Sequence, residues 1–275
     1  TLMSCMWNGV IWTKSSENSP TPSNVGGEFG KMGNTWVITK RELSAYFSTP
    51  LAYVFIVIFL ALSGALTFFM GAFFDRGQAD LNSFFSFHPW IYLFLIPAVA
   101  MRLWAEERKT GTVELLLTLP MPTWQIVIGK YMAAWIFVAI ALALTFPLWI
   151  TVNWLGDPDN GVIVASYIGS LVMAGGYLAI GSCISAFTKN QVIAFILAAV
   201  VCFIFLMSGV EIVQAFFQPW APLFVLDAIQ SMSFLTHFNG IVRGVIDLRD
   251  LIYFGSIIGV FLYANAAVID LTRGS

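Results

Sequence analysis

Six stretches of this chain are each long and apolar enough to cross a bilayer, and that leaves little freedom in what it can fold into. Spanning about 30 Å of hydrocarbon takes about 20 mainly apolar residues in a helix. Charge-free runs of that order occupy residues 51–74, 84–101, 131–155, 162–188, 191–210 and 251–269. Backbone polar groups in lipid must be satisfied within the protein, and a continuous apolar run achieves this as a helix. Composition agrees: 59% of the 275 residues are hydrophobic and 10% are charged, whereas soluble chains are about half apolar and about a quarter charged. Mean hydropathy is +0.83. The fold class expected is an all-α integral membrane protein with six transmembrane helices. The second run is short and holds Pro89 and Pro97, which predicts a kinked helix whose freed carbonyls are re-satisfied by neighbours.

Orientation follows from lysine and arginine, which are retained in cytoplasmic loops. With the N-terminus inside, Lys31, Lys40, Arg41, Arg102, Arg108, Lys109, Lys130, Lys189 and Arg273 all fall inside, with Lys14 as a tenth, and only Arg76, Arg243 and Arg249 fall outside. Both termini are therefore expected in the cytoplasm. Residues 1–31 contain the polar run "SSENSPTPSNVGGEFGK" and too short an apolar segment for a signal peptide. They read as a disordered extension or expression remnant, with Met32 the natural start. Next, "WVITKRELSAYFSTP" places Trp36, Leu43 and Phe47 near one face and Arg41 and Glu42 on the other, as in a short interfacial helix. Thr49 and Pro50 fit the N-cap and first residue of span one.

Several chemistries lack their motifs. Nothing here is polybasic, the formal net charge being -2, so the attraction that dominates nucleic-acid binding has no source. The pairs Gly30-Lys31 and Gly129-Lys130 are followed by Met32 and Tyr131, not Ser or Thr, and Trp124 stands where a phosphate loop needs glycine. HExxH and GxSxG are absent, so zinc-protease and serine-hydrolase readings lose their basis. Cys5, Cys183 and Cys202 are odd in number and lack metal-type spacing. His88 reads as an interfacial histidine and His237 as a loop histidine. The spans carry almost no ionisable residues, only Glu211 at the edge of the fifth, which argues against a proton- or sodium-driven carrier. Energy for transport would come from a cytoplasmic partner. Gly255 and Gly259, and Gly175, Gly176 and Ala179, form small-residue faces, for which packing inside the chain is favoured over dimerisation.

The densest charge run, Arg102, Glu106, Glu107, Arg108 and Lys109, follows span two. Residues 104–109 would carry the helix beyond the bilayer, and Thr110-Gly111 would interrupt it, since glycine is costly in a helix. Thr112 would cap a short apolar helix over residues 113–119, with Glu114 complementing its dipole. Pro120 and Pro122 would stop it, and Thr123 would cap the helix leading into span three. A solvated loop with an interfacial helix is the plainer alternative. A cap, two proline stops and a leucine-rich turn in so small a space instead suggest a rigid docking element.

"AEERKTGTVELLLTLPMPTWQIVIGK" resembles the loop between spans two and three of ABC-2 type permeases, the membrane subunits of one class of ATP-binding-cassette transporter. "FLTHFNGIVRGVIDLRDLIYF" (residues 234–254) resembles the segment before the last span in the gliding-motility-type branch. The resemblance covers residues 32 to about 273. It implies a coupling helix between spans two and three that contacts a separate cytoplasmic ATPase subunit, on which ATP and Mg would act, this chain carrying no cofactor and no catalytic or metal site. It also implies a second permease subunit and the bacterial cytoplasmic membrane. The contact set carried over is Glu106, Glu107, Arg108, Gly111, Thr112 and Glu114, with Leu116 on the coupling helix. Residues 211–250 would be external, with Phe216, Phe217, Trp220 and Phe224 in a re-entrant helical hairpin that shields a pathway or grips an extracytoplasmic partner. An exporter permease is the leading expectation. A non-transporting anchor that moves an external partner comes second, and an ATP-independent channel is a more distant third.

Overall fold

A computed structural model describes residues 29–117, 121–219 and 222–273, apart from the side chains of residues 29–34, 115–117, 223, 272 and 273. Residues 1–28, on which most of the expected extension falls, lie outside the described residues. Among the described residues every regular element is helical. Among the described residues five helical runs are long and apolar enough to cross a membrane: Pro50–Met70, Asn82–Thr110, Thr123–Leu155, Asn160–Phe187 and Leu248–Leu271. The sixth, α9 (Gln191–Met207), has 17 residues and passes only together with α10 (Glu211–Phe217), bent from it by 79°.

Proline punctuates these runs. Pro50 opens α2 (Pro50–Ala65), which continues as a π-helical turn over Leu66–Met70. Thr49 stands at the N-cap position, but its hydroxyl donates back to the Tyr46 carbonyl and caps nothing. Both Pro89 and Pro97 lie inside α3 (Asn82–Ala100), which breaks at Met101 before α4 (Arg102–Thr110). The third span divides into α6 (Thr123–Ala143) and α7 (Phe146–Leu155). Pro147 causes this: it has no N–H to offer and its ring crowds the carbonyl four residues back, that of Ala143.

The axis of the bundle is α8 (Asn160–Phe187), started by the Asp159 carboxylate, which accepts from the amides of Gly161 and Val162. Its glycines let neighbours approach. A Cβ on Gly175 would stand 2.8 Å from the Tyr131 hydroxyl, and one on Gly181 would stand 2.5 Å from the Ala100 Cβ. Gly255 and Gly259 of α13 (Leu248–Arg273) behave differently, with no neighbour within 4 Å of either Cβ position. That pair does not serve packing within the chain, contrary to expectation, because α13 meets α8 through other faces.

The first helix, α1 (Phe29–Phe47), packs lengthwise and in the same direction along α6. Ile38 seats on Gly129, Thr39 donates to the Gly129 carbonyl at 3.2 Å, and Tyr46 stacks on Phe137. Its buried face therefore centres on Ile38 and Thr39, while Trp36 is 62% exposed. The expected Trp36 face is displaced because the glycine notch of α6 admits Ile38. His88 is also corrected. Instead of lying at an interface it is fully buried in α3, ringed by Phe59, Phe84, Phe85 and Tyr92.

Candidate functional site

α1, α4, α6 and the end of α8 converge where most of the lysines and arginines gather. The meeting point is Lys130, one residue after the glycine on which α1 seats. Its side chain is 2% exposed. The ammonium donates to Glu107 Oε1 at 2.6 Å, lies 3.4 Å from Glu42 Oε2, and sits 5.3 Å from the Trp104 ring centroid. So α6 brings the cation while α4 and α1 each bring a carboxylate. An ion leaves water at a cost of several kcal/mol unless close counter-charges replace the solvent; two carboxylates and an aromatic face do so here. Glu42 also pairs with Arg41 at 2.7 Å. Burial by itself raises the Glu42 pKa, but the charges of Lys130 and Arg41 outweigh it and hold the carboxyl below its ordinary 4.5.

Beyond this junction the chain turns an elbow. α4 ends at Gly111, whose φ of +75° is left-handed, a conformation that glycine enters without the Cβ penalty. α5 (Thr112–Leu117) follows at once. The Thr112 hydroxyl sits 2.9 Å from that of Thr110 and donates to the Glu107 carbonyl at 3.4 Å. It ties the elbow back to α4, and Thr112 stands as the first residue of α5 instead of at its cap position. Thr123 likewise caps nothing, and instead donates to Asp270 Oδ1 at 2.5 Å, joining α6 to α13. Val113 turns into the core, leaving Thr112 and Glu114 outside.

The expected contact set thus divides. Gly111, Thr112 and Glu114 are exposed at the elbow. Glu106 is half-exposed and pairs with Arg102 at 3.1 Å, one helical turn away. Glu107 is spent on Lys130, and the Arg108 guanidinium donates to the Ala186 carbonyl at the end of α8. The side chain of Leu116 lies outside the described residues. Glu42, Tyr46, Arg102, Glu106 and Glu107 line an open cleft between α1 and α4.

Two members of the junction are not marked as such by the sequence. Glu42 falls on the polar face of the first helix, and Lys130 stands one residue before the charge-free run that marks span three. The helix starts at Thr123, so Lys130 is a buried ionisable residue inside a spanning run, and the expectation of spans nearly free of such groups is corrected. A single lysine at the mouth of an otherwise charge-free run was the available signal.

At the opposite end the segment expected as a hairpin holds three helices. α10 buries no residue, and Phe216 on it is 71% exposed; Phe217 packs edge-on against Phe216. On α11 (Leu223–Ser231) Phe224 is 78% exposed. Trp220 lies outside the described residues. α12 (Phe234–Val242) is instead core, burying Phe234, His237, Phe238, Ile241 and Val242 on one face. His237 is therefore not a loop histidine. Its Nδ1 lies 2.6 Å from Asp250 Oδ1, its Nε2 lies 3.0 Å from the Ser231 carbonyl, and its ring stacks on Tyr253 at 4.0 Å. Among the described residues no three His, Cys, Asp or Glu side chains gather as metal ligands would.

The family model described as "ABC-2 family transporter protein" matches residues 36–247 of the chain. No curated protein matches it.

Proposed function

Since the chain belongs to the ABC-2 family of transporter proteins and is a multi-pass permease subunit of an ABC transporter, we propose that it is driven by ATP hydrolysis on a separate cytoplasmic ATPase subunit and works as half of an exporter. The observation that carries this reading is the elbow at Gly111. It projects Thr112 and Glu114 outward from a helix whose base is fixed by Lys130 to α1 and α6 and by Arg108 to α8. A push on the elbow is thereby felt by four helices at once, which is what transmission from an ATPase requires. The basic end faces the cytoplasm, in keeping with the lysine and arginine asymmetry, and a second permease subunit completes the transporter. Co-purification tests the reading: a stoichiometric ATPase is expected with the wild-type chain and is expected to be lost in Leu116→Asp. Recovery of the wild-type chain without any ATPase would overturn it.

A second reading, a membrane anchor that moves an external partner without passing a solute, is favoured by the outward-facing Phe216 and Phe224 on helices that bury little. ATP-dependent movement of no solute, together with a stoichiometric external protein bound through those residues, would select it.

A further inference from the structure

α4 begins where the second span breaks, and its N-cap position is held by Met101, which makes no side-chain capping hydrogen bond. The opening N–H groups of any helix lack intrahelical partners. Trp104 and Ala105, in the first turns of α4, are 1% and 0% exposed, so water cannot serve them. The partner comes from another helix. Ser185 of α8, fully buried, accepts from the Trp104 and Ala105 amides, both at 3.1 Å, and donates to the Met101 carbonyl at 2.8 Å. One hydroxyl therefore binds the backbone on both sides of the break, and does for α4 what an N-cap serine does for its own helix.

The approach depends on Gly181, one turn earlier on α8. With no Cβ there, α8 lies against Ala100, the last residue of α3, and a short serine side chain reaches the break. One turn beyond Trp104, Arg108 grips the Ala186 carbonyl, so α4 is held to α8 at two points. A foreign side chain inserted at a helix break is a recognised cause of a fixed bend.

We propose that Ser185 is a positioning residue: a cap supplied by α8 that fixes the angle at which α4 leaves the second span, and with it the placement of Gly111, Thr112 and Glu114. This rests on the reading of the elbow as the ATPase contact, but the cap itself is open to test without any ATPase.

The test uses the full-length permease in nanodiscs. Hydrogen exchange at the Trp104 and Ala105 amides reads the cap directly, and the distance between spin labels at the exposed Lys109 and Lys189 reads the angle. Ser185→Ala should speed exchange at those amides about 2- to 30-fold, the range that loss of a cap covers, and broaden the distance distribution. Ser185→Thr, which keeps the hydroxyl, should restore both. Ser182→Ala removes an equally buried hydroxyl that instead accepts from Asn265 of α13, and should change neither. Should Ser185→Ala fail to accumulate, Ser185→Cys, nearly isosteric but a weak acceptor, gives the same signs at smaller amplitude. With the ATPase added, Ser185→Ala should still bind it while coupled ATP turnover falls about fivefold or more, recovering in Ser185→Thr. Unchanged exchange in Ser185→Ala overturns the cap, as does an equal response to Ser182→Ala. Faster exchange with full coupled turnover overturns the positioning role. If no ATPase binds even the wild type, the elbow reading fails, while the exchange result still decides the cap.

Discussion

The two ends of this bundle solve opposite problems. At the basic end charged side chains are paired inside the chain: Lys130 with Glu107 and Glu42, Glu42 with Arg41, Arg102 with Glu106, and Arg108 with the end of α8. At the opposite end α10 buries nothing, and Phe216 and Phe224 face outward. The first arrangement holds a shape against force applied from outside. The second leaves apolar surface whose cover this chain does not supply. Buried charge here serves geometry more than net stability, since taking ions out of water nearly cancels their attraction.

The largest effect should come from breaking that geometry. Lys130→Met leaves Glu107 without its cation and Glu42 with Arg41 alone, and removing one partner of a buried pair typically costs about 3 to 5 kcal/mol. We expect a marked loss of thermal stability in detergent. Replacing all three groups, with Lys130→Met, Glu42→Gln and Glu107→Gln together, should recover most of it, since no uncompensated charge remains. A triple variant as unstable as the single would mean that the place of the ammonium over the Trp104 ring, which methionine cannot supply, matters more than its pairing with the carboxylates.

A smaller effect concerns α5. Burying a leucine-sized side chain supplies about 1.5 to 3 kcal/mol, whereas an exposed ion pair gives about 0 to 1 kcal/mol. Leu116→Asp should therefore weaken ATPase binding about 10- to 100-fold, as titration of the labelled subunit would read. Glu114→Ala should change it by less than about fivefold. Equal losses would make the elbow an electrostatic contact, and the contrast between the two ends would have to be redrawn.

Much of this contrast was legible in the sequence, and the rest was hidden for physical reasons. Spans are a one-dimensional property, set by length and polarity, so the runs and the charged extension after span two could be read directly. The partners of the charges are three-dimensional. Nothing in "EERK" says that Glu107 and Arg108 turn inward while Glu106 stays half outside; that depends on where α6 and α8 pass. The cap on α4 comes from Ser185, 84 positions from the Met101 carbonyl it binds, and no local pattern announces a cap given by another helix. α12 was hidden differently. Its apolar stripe of Phe234, Phe238 and Ile241 takes in His237, and Thr236 and Asn239 stand exposed beside it, so that a core helix reads as a segment with a loop histidine.

Acid should erode the basic end gradually. The Glu42 pKa is lowered in the fold, so its ionised form contributes stability that is fully present above the unfolded value of 4.5 and is lost as pH falls through the lower folded value. Melting temperature should therefore hold steady on this account from pH 7 to about 5, then fall below about 4.5. Glu42→Gln should flatten that acid limb relative to wild type. An identical limb in the variant would assign the loss to other carboxylates.

The smallest expected effect is at the other end, and it is the sharpest test of the contrast. If Phe216 and Phe224 contribute nothing to the fold of this chain, replacing each with serine should shift its stability by no more than about 0.5 kcal/mol, the usual range for exposed positions. The same changes should nevertheless alter whatever covers that face, lipid or protein, because a mostly exposed phenylalanine buries little of its apolar surface within this chain. Melting curves of the isolated subunit and recovery of its associated proteins would be compared side by side. Unchanged melting with a lost partner supports an anchor, whereas unchanged melting with a full set of partners and altered solute passage supports a pathway shield. A fall of several degrees in melting temperature would show that α10 and α11 are held by their own aromatic contacts, and the two ends would then differ in chemistry but not in purpose.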